Sequence, residues 1–134
     1  MIQTHLTLLL LVLCTSKLVF FDDFDKLDFK KWRHELTMAG GGNHEFQIYQ
    51  NNRTVTYTNN SVLYIQPILT QDIMDASYVR NNSDFDMWGG IGDHCTAPFN
   101  DGCRRKSNGT YYLPPVISGK LTTAETFTFT YGRV

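Results

Sequence analysis

Glu125-Thr-Phe-Thr-Phe-Thr-Tyr-Gly-Arg-Val134 closes the sequence with a strict period of two. Phe127, Phe129 and Tyr131 fall on one side, and Thr126, Thr128 and Thr130 on the other. Successive side chains of an extended backbone point to opposite faces, so this is the pattern of a half-buried β-strand. Gly132 fits a bulge or a close backbone approach. No turn cluster or charged tail follows it. A strand this amphipathic needs neighbours on both sides, so the natural protein is expected to continue past Val134.

Working back from that strand, the same alternation recurs in short pieces. Leu18-Val-Phe-Phe21 reads as a first strand, and Asp22 to Asp28 as an acidic turn. Lys31 to Leu36 is a short extended segment around Trp32. Ala39-Gly-Gly-Gly42 interrupts it before Glu45-Phe-Gln-Ile-Tyr-Gln50 alternates again, Phe46 and Ile48 opposing Glu45, Gln47 and Tyr49. A hairpin with Asn59-Asn60 as its two-residue turn is expected next, with Tyr57 facing Val62 and Val55 facing Tyr64. A turn that includes Ser61 would shift that register. Residues 70–112 are irregular and rich in Asn, Asp and Gly, a length of loop that is usually functional or decorative. Pro114-Pro115 ends it, and Val116 to Thr123 leads back to the terminal strand. No stretch has helical periodicity, and the 18 aromatics (9 Phe, 2 Trp, 7 Tyr) supply enough apolar surface for a sandwich. The fold class is all-β.

The 134 residues fit one domain. Residues 1–16 read as a signal peptide: the apolar run Leu6 to Cys14 is shorter than the ~20 residues of a membrane span and is followed by small residues. A short core helix or a membrane anchor are the other readings of this stretch. The domain then covers residues 17–134, and the expected location is secreted and extracellular. Once the leader is removed, Cys95 and Cys103 remain as a pair with seven residues between them. A local disulfide is favoured. A metal site using His94, Cys95 and Cys103 lacks zinc-knuckle spacing and a clear fourth ligand, and free thiols remain an alternative. Four N-glycosylation sequons start at Asn52, Asn59, Asn81 and Asn108, each in a polar, turn-like stretch. The net charge of −1 gives no footprint for nucleic acid.

Seven collinear segments carry a resemblance. They are Phe20 to Asp25 with Leu27-Asp28 and Lys31-Trp32; Gly40-Gly-Gly-Asn-His-Glu-Phe-Gln47 with Tyr49; Asn51-Asn-Arg-Thr54; Val62-Leu-Tyr-Ile65; Asp86-Met-Trp-Gly-Gly90; the Cys95 and Cys103 pair; and Pro115-Val with Ser118, together with Phe127 to Val134. Together they resemble secreted proteins of glycoside hydrolase family 16, in the animal branch of β-1,3-glucan-binding proteins and β-1,3-glucanases. The resemblance implies a concanavalin-like β-jelly roll, of which this chain supplies roughly the first half, with a concave face that holds a β-1,3-glucan. It also implies a catalytic motif Glu-x-Asp-x-Glu, or its bulged form with one more residue. Its two carboxylates, about 5–5.5 Å apart, would perform retaining hydrolysis.

That motif is absent from the sequence: Glu35, Glu45 and Glu125 lack the Asp partner, and Asp84-Phe-Asp86 reads as a solvated turn pair. No catalytic residue is therefore expected. The leading reading is the N-terminal portion of a secreted protein related to β-1,3-glucan recognition or hydrolysis, non-catalytic over these 134 residues. An active β-1,3-glucanase represented by part of its chain, or a secreted remnant that binds nothing, are the alternatives. The resemblance places Asn43 and Glu45 in the sugar groove, where glycines allow close approach and both side chains can bond hydroxyls; a locally capped glycine turn is the bland alternative. Trp88 could stack on a pyranose ring or anchor a loop. Lys120 stands where relatives usually carry Arg, and an ammonium cannot reproduce the planar guanidinium fork. No cofactor is expected. Calcium, bound by some relatives, would draw on Asp22 and Asp23, for which a solvated turn is the better reading. No membrane span is expected in the mature chain.

Overall fold

A computed structural model of the chain describes residues 17–89, 94–123 and 126–130. The expected signal peptide (1–16), Glu125 and the residues 131–134 of the terminal strand lie outside them. Nine short strands are present among the described residues: β1 (Arg33–His34), β2 (Gln47–Tyr49), β3 (Thr56–Asn59), β4 (Val62–Ile65), β5 (Ile68–Leu69), β6 (Ser83–Asp86), β7 (Arg104–Ser107), β8 (Val116–Ser118) and β9 (Leu121–Thr122). All sheets are small, and the fold is predominantly β.

β8 organises the centre. It runs parallel to β2, pairing Ile48 with Ile117, and antiparallel to β5, pairing Ile68 with Ile117. Ile48 and Ile117 are fully buried, as the alternation of Glu45 to Gln50 predicts for Ile48. Two residues after β8 the chain crosses to pair β9 with β1. The continuation of β1 is then bonded to β2 through Thr37 and Tyr49, N–H to carbonyl in both directions at 3.2 and 2.9 Å. One face of these pairings buries Leu36, Met38, Ile48 and Ile117 with Val55, Met87 and the two cysteines. The opposite face carries Glu35, Glu45, Gln47, Tyr49 and Lys120.

Several expectations are corrected. Leu18 to Phe21 is not a strand, and Leu18, Val19 and Phe21 are exposed. This segment is instead held by Trp32, whose indole N–H donates to Asp22 at 2.6 Å and whose ring meets Phe20 and Phe24. The hairpin turn is Asn60-Ser61, not Asn59-Asn60. Both turn residues have positive φ, as a type I′ turn requires, so Tyr57 faces Tyr64 and Asn59 faces Val62. Residues 126–130 form no ladder. Thr126 and Phe127 donate to the Thr123 carbonyl in a turn, and Phe127 stacks on Phe20 at 4.8 Å.

The stretch 70–112 is less irregular than its composition indicates. It holds two short helices, α1 (Thr70–Ile73) and α2 (Ala76–Arg80), as well as the β6–β7 hairpin. Asp75 caps α2 by accepting from Ser77 and Tyr78 N–H. Helices of one turn cannot display a periodicity that a sequence reading would detect. Asp84 and Asp86 lie on a strand, not in a turn. Asp84 pairs with Arg104, which holds its carboxyl well below the usual range, at about 2.

The disulfide reading is correct: Cys95 and Cys103 are bonded, with Cα atoms 5.5 Å apart. This removes the thiolates that the metal and free-thiol readings needed.

Gly119, at the crossover between β8 and β9, packs so closely on β3 that a Cβ there would overlap the Thr56 hydroxyl oxygen. That oxygen is buried and has no hydrogen-bond partner. Gly119→Ala should therefore lower stability by about 3 kcal/mol, read as a reduced urea midpoint. Thr56→Val, which replaces the unsatisfied hydroxyl with a methyl, should leave the midpoint unchanged or raise it. A G119A variant as stable as the parent would show that the crossover has room.

Candidate functional site

The glycine run is built by conformation. Gly40, Gly41 and Gly42 all have positive φ and form a single 3₁₀ turn. Both Asn43 and Glu45 donate their N–H to the Gly40 carbonyl, at 2.9 and 3.1 Å, so the chain doubles back on itself. A side chain at Gly41 would collide with the Glu45 carboxylate at 2.5–2.7 Å, so the absence of a Cβ makes room for that group.

Glu45, Gln47 and Tyr49 share one face because they alternate along β2 and its approach. The Gln47 amide donates to Glu45 Oε2 at 2.9 Å and to the Tyr49 hydroxyl, which donates to the same Glu45 oxygen at 3.1 Å. Lys120 continues the row: its ammonium lies 5.5 Å from the centre of the Tyr49 ring and 2.8 Å from Glu35 Oε2. Burial pushes the Tyr49 hydroxyl pKa up. The Gln47 donor opposes that shift and the Glu45 carboxylate adds to it. The bond to Glu35 raises the pKa of Lys120.

A groove of about 700 Å³ opens beside this row. Gly40, Gly42, His44 and Glu45 form one wall, and Arg105, Tyr111 and Tyr112 the other. The Arg105 guanidinium is fixed by donating from Nη2 to the Met38 and Asn100 carbonyls, both at 3.0 Å. Tyr111 and Tyr112 are 71% and 56% exposed, and Phe46, at the glycine end, is 64% exposed. These aromatic faces, gathered around one groove, make it the candidate binding surface.

The four expected sugar-binding residues divide. Glu45 lines the groove. Asn43 is exposed in the turn beside it, its backbone serving the turn as the bland alternative supposes. Lys120 lies along the polar row, tied to Glu35, and is not in the groove lining. Trp88 stands half exposed just after β6, also apart from that lining, with its N–H donating to Asp86. Tyr111, Tyr112 and Arg105 did not emerge from the sequence. Their one signal was two adjacent aromatics between an Asn-Gly turn and Pro114-Pro115. Asp22 is committed elsewhere: burial raises its carboxyl pKa, but bonds from Phe24 N–H, Trp32 and Lys31 outweigh that and hold it below the ordinary value. Asp23 accepts from Asp25 N–H. Among the described residues no three His, Cys, Asp or Glu side chains gather as a metal cluster, and no helix is long and apolar enough to cross a membrane.

Known proteins similar in sequence to this chain are named for binding β-1,3-glucan or Gram-negative bacteria. A β-1,3-glucan-binding protein of Penaeus monodon is 43% identical over 125 residues, which is 90% of this chain and 34% of that protein. β-1,3-Glucan-binding protein 2 of Manduca sexta is 29% identical over 125 residues, 90% of this chain and 24% of its own length. Gram-negative bacteria-binding protein 1 of Drosophila melanogaster is 28% identical over 129 residues, 91% of this chain and 24% of its own length. The chain thus spans 24–34% of the length of these relatives. No protein-family model matches the sequence, and no solved structure matches it.

Tyr49 and Lys120 both hold their protons above their ordinary values near pH 10. Their contribution to stability is complete below that range and is lost as pH rises through the folded-state values. The thermal midpoint should fall above about pH 10, and Tyr49→Phe or Lys120→Met should each flatten the fall. Unchanged slopes in both variants would remove the row from the stability of this face.

Proposed function

We propose that this chain forms part of the wall of a β-1,3-glucan-binding groove, in a secreted protein of jelly-roll fold related to glycoside hydrolase family 16. One observation carries the reading. The Gly40–Glu45 wall faces the Tyr111–Tyr112 wall across an open groove, in a chain 43% identical to a protein named for glucan binding. A glucan presents apolar C–H faces and a fringe of hydroxyls. Exposed tyrosine rings match the first, and the fixed polar groups of Arg105 and Glu45 match the second. Both bonds to Glu45 fall on Oε2, so the carboxylate retains capacity to accept a sugar hydroxyl.

The role proposed for these residues is recognition, and no hydrolytic step is assigned to them. Retaining hydrolysis takes two carboxyls about 5–5.5 Å apart, one a nucleophile and the other an acid. Here Glu35 is ion-paired to Lys120, and Glu45 is held by an amide and a phenol. Secretion is supported by the leader-like residues 1–16, the disulfide and the four sequons.

The test is co-sedimentation of the chain, secreted from insect cells, with insoluble β-1,3-glucan and with cellulose. Greater retention on the β-1,3-glucan is expected, and equal retention would sink the proposal. Replacing Tyr111 and Tyr112 together by Ala should weaken binding of a soluble linear β-1,3-glucan about tenfold. Gly41→Ala should cost about 1 kcal/mol of stability through its positive φ, yet reduce glucan binding more than that loss explains by displacing Glu45.

A further inference from the structure

Tyr111 and Tyr112 are a ridge between two depressions. One is the groove already described. The other, about 710 Å³, is lined by Asp101, Arg104, Arg105, Lys106 and Asn108 together with the same two tyrosines. We propose that Asn108 carries an N-linked oligosaccharide that occupies this second depression and shields the tyrosine ridge, limiting access of a glucan to it. The modification itself stands on the acceptor geometry; its effect on glucan rests on the binding function proposed above.

The residues 108–111 form a tight turn around the acceptor. Asn108 Oδ1 accepts from the N–H groups of Thr110 and Tyr111 at 3.1 and 3.0 Å, and the Asn108 N–H donates to the Tyr111 carbonyl at 3.1 Å. Gly109, at φ +83°, donates to the Arg80 carbonyl at 2.8 Å and ties the turn to the end of α2. With Oδ1 held by two backbone donors, the planar amide directs Nδ2 away from the turn, and Asn108, Gly109 and Thr110 are all exposed.

The Asn59 sequon is as exposed, but each of the other three has its hydroxyl engaged or its asparagine partly buried. Ser83, the hydroxyl residue of the Asn81 sequon, is buried and bonded to Ser107. The Ser61 hydroxyl of the Asn59 sequon bonds to Asp25. Asn52 is half-buried, its side-chain oxygen bonded to Thr54 N–H.

The step needs a lipid-pyrophosphate-linked oligosaccharide as co-reactant. The bond from its anomeric carbon to the pyrophosphate oxygen breaks, and the bond from that carbon to Nδ2 forms. The amide gives up one proton, and the lipid pyrophosphate leaves. The product is bulky and polar, and its attachment point shares the depression with both tyrosines.

The test compares the whole chain secreted from insect cells with its Thr110→Ala and Thr110→Ser variants. T110A abolishes the acceptor sequence but keeps Asn108 and both N–H bonds to Oδ1; T110S restores the sequence. Glycopeptide mass spectrometry should find Asn108 occupied in the parent and in T110S, and bare in T110A. Chymotryptic cleavage after Tyr111 and Tyr112 should be about fivefold slower when the glycan is present. Native trimming of the parent's glycans to a single sugar should speed it without any substitution. Because Thr110 also lines the first groove, binding of a soluble linear β-1,3-glucan is compared between the trimmed and untrimmed parent, and trimming should tighten it about threefold. An unoccupied Asn108, or equal cleavage of the glycoforms, overturns the proposal. Slower cleavage with glucan binding equal in both glycoforms overturns its role in access. Slower cleavage with no glucan binding by either form overturns the binding function while leaving the shielded ridge in place.

Discussion

The segment Leu36 to Met38 is bonded along both of its edges, and the remaining architecture follows from that constraint. On one edge Thr37 exchanges two backbone bonds with Tyr49. On the other, the disulfide loop lies alongside like a further strand. Thr96 N–H donates to the Leu36 carbonyl and Leu36 N–H to the Thr96 hydroxyl, both at 2.9 Å; Met38 N–H donates to the Gly102 carbonyl at 2.7 Å, and the Thr37 hydroxyl to the Ala97 carbonyl at 2.8 Å. A loop of coil is thereby held as firmly as a sheet edge, and buried backbone groups on both sides find partners. Because Met38 and Asn100 also anchor Arg105, the same contact positions one wall of the groove against the other.

This explains why the polar face and the core face are so cleanly separated in a chain with such short strands. Ile48 and Ile117 point inward where the hydrogen-bonded segments meet. Their neighbours Glu45, Gln47, Tyr49 and Lys120 point outward and satisfy one another, which keeps the face rigid without burying an unpaired charge. Glu35 and Glu45, the two acids on this face, each serve as an acceptor for a named donor. A fixed polar surface of this kind suits the recognition of an uncharged, hydroxyl-rich polymer.

The sequence made the alternating parts legible, and the parts set by distant contacts were hidden. Gln47 to Tyr49 reads correctly, with Ile48 buried between two wetter neighbours, whereas Phe46, expected on the same face as Ile48, is 64% exposed at the groove. The hairpin after it was displaced by one residue because Asn59-Asn60 and Asn60-Ser61 are both plausible turns, and only the positive φ of Asn60 and Ser61 decides. Leu18 to Phe21 is apolar enough for a strand, but Trp32 holds it by ring contacts, and it has no ladder partner among the described residues. Asp84 to Asp86 becomes a strand because Arg104 and Lys106 neutralise it across the hairpin. Of the candidate site, the glycine turn and Glu45 were readable from a local motif. The opposing wall was not, since Tyr111 and Tyr112 meet it only through the closure of residues far apart in the chain.

That closure sets an order of events during synthesis. β1 pairs with β9 and β2 with β8, so the earliest strands to leave the ribosome find their partners only when residues 116–122 have emerged. Loop-closure entropy makes such pairings slow compared with local ones. The β3–β4 hairpin and the short loop closed by Cys95 and Cys103 can form first. The hydrophobic residues Ile48 and Leu36 meanwhile lack these partners, which leaves apolar surface open to aggregation until residues 116–122 arrive.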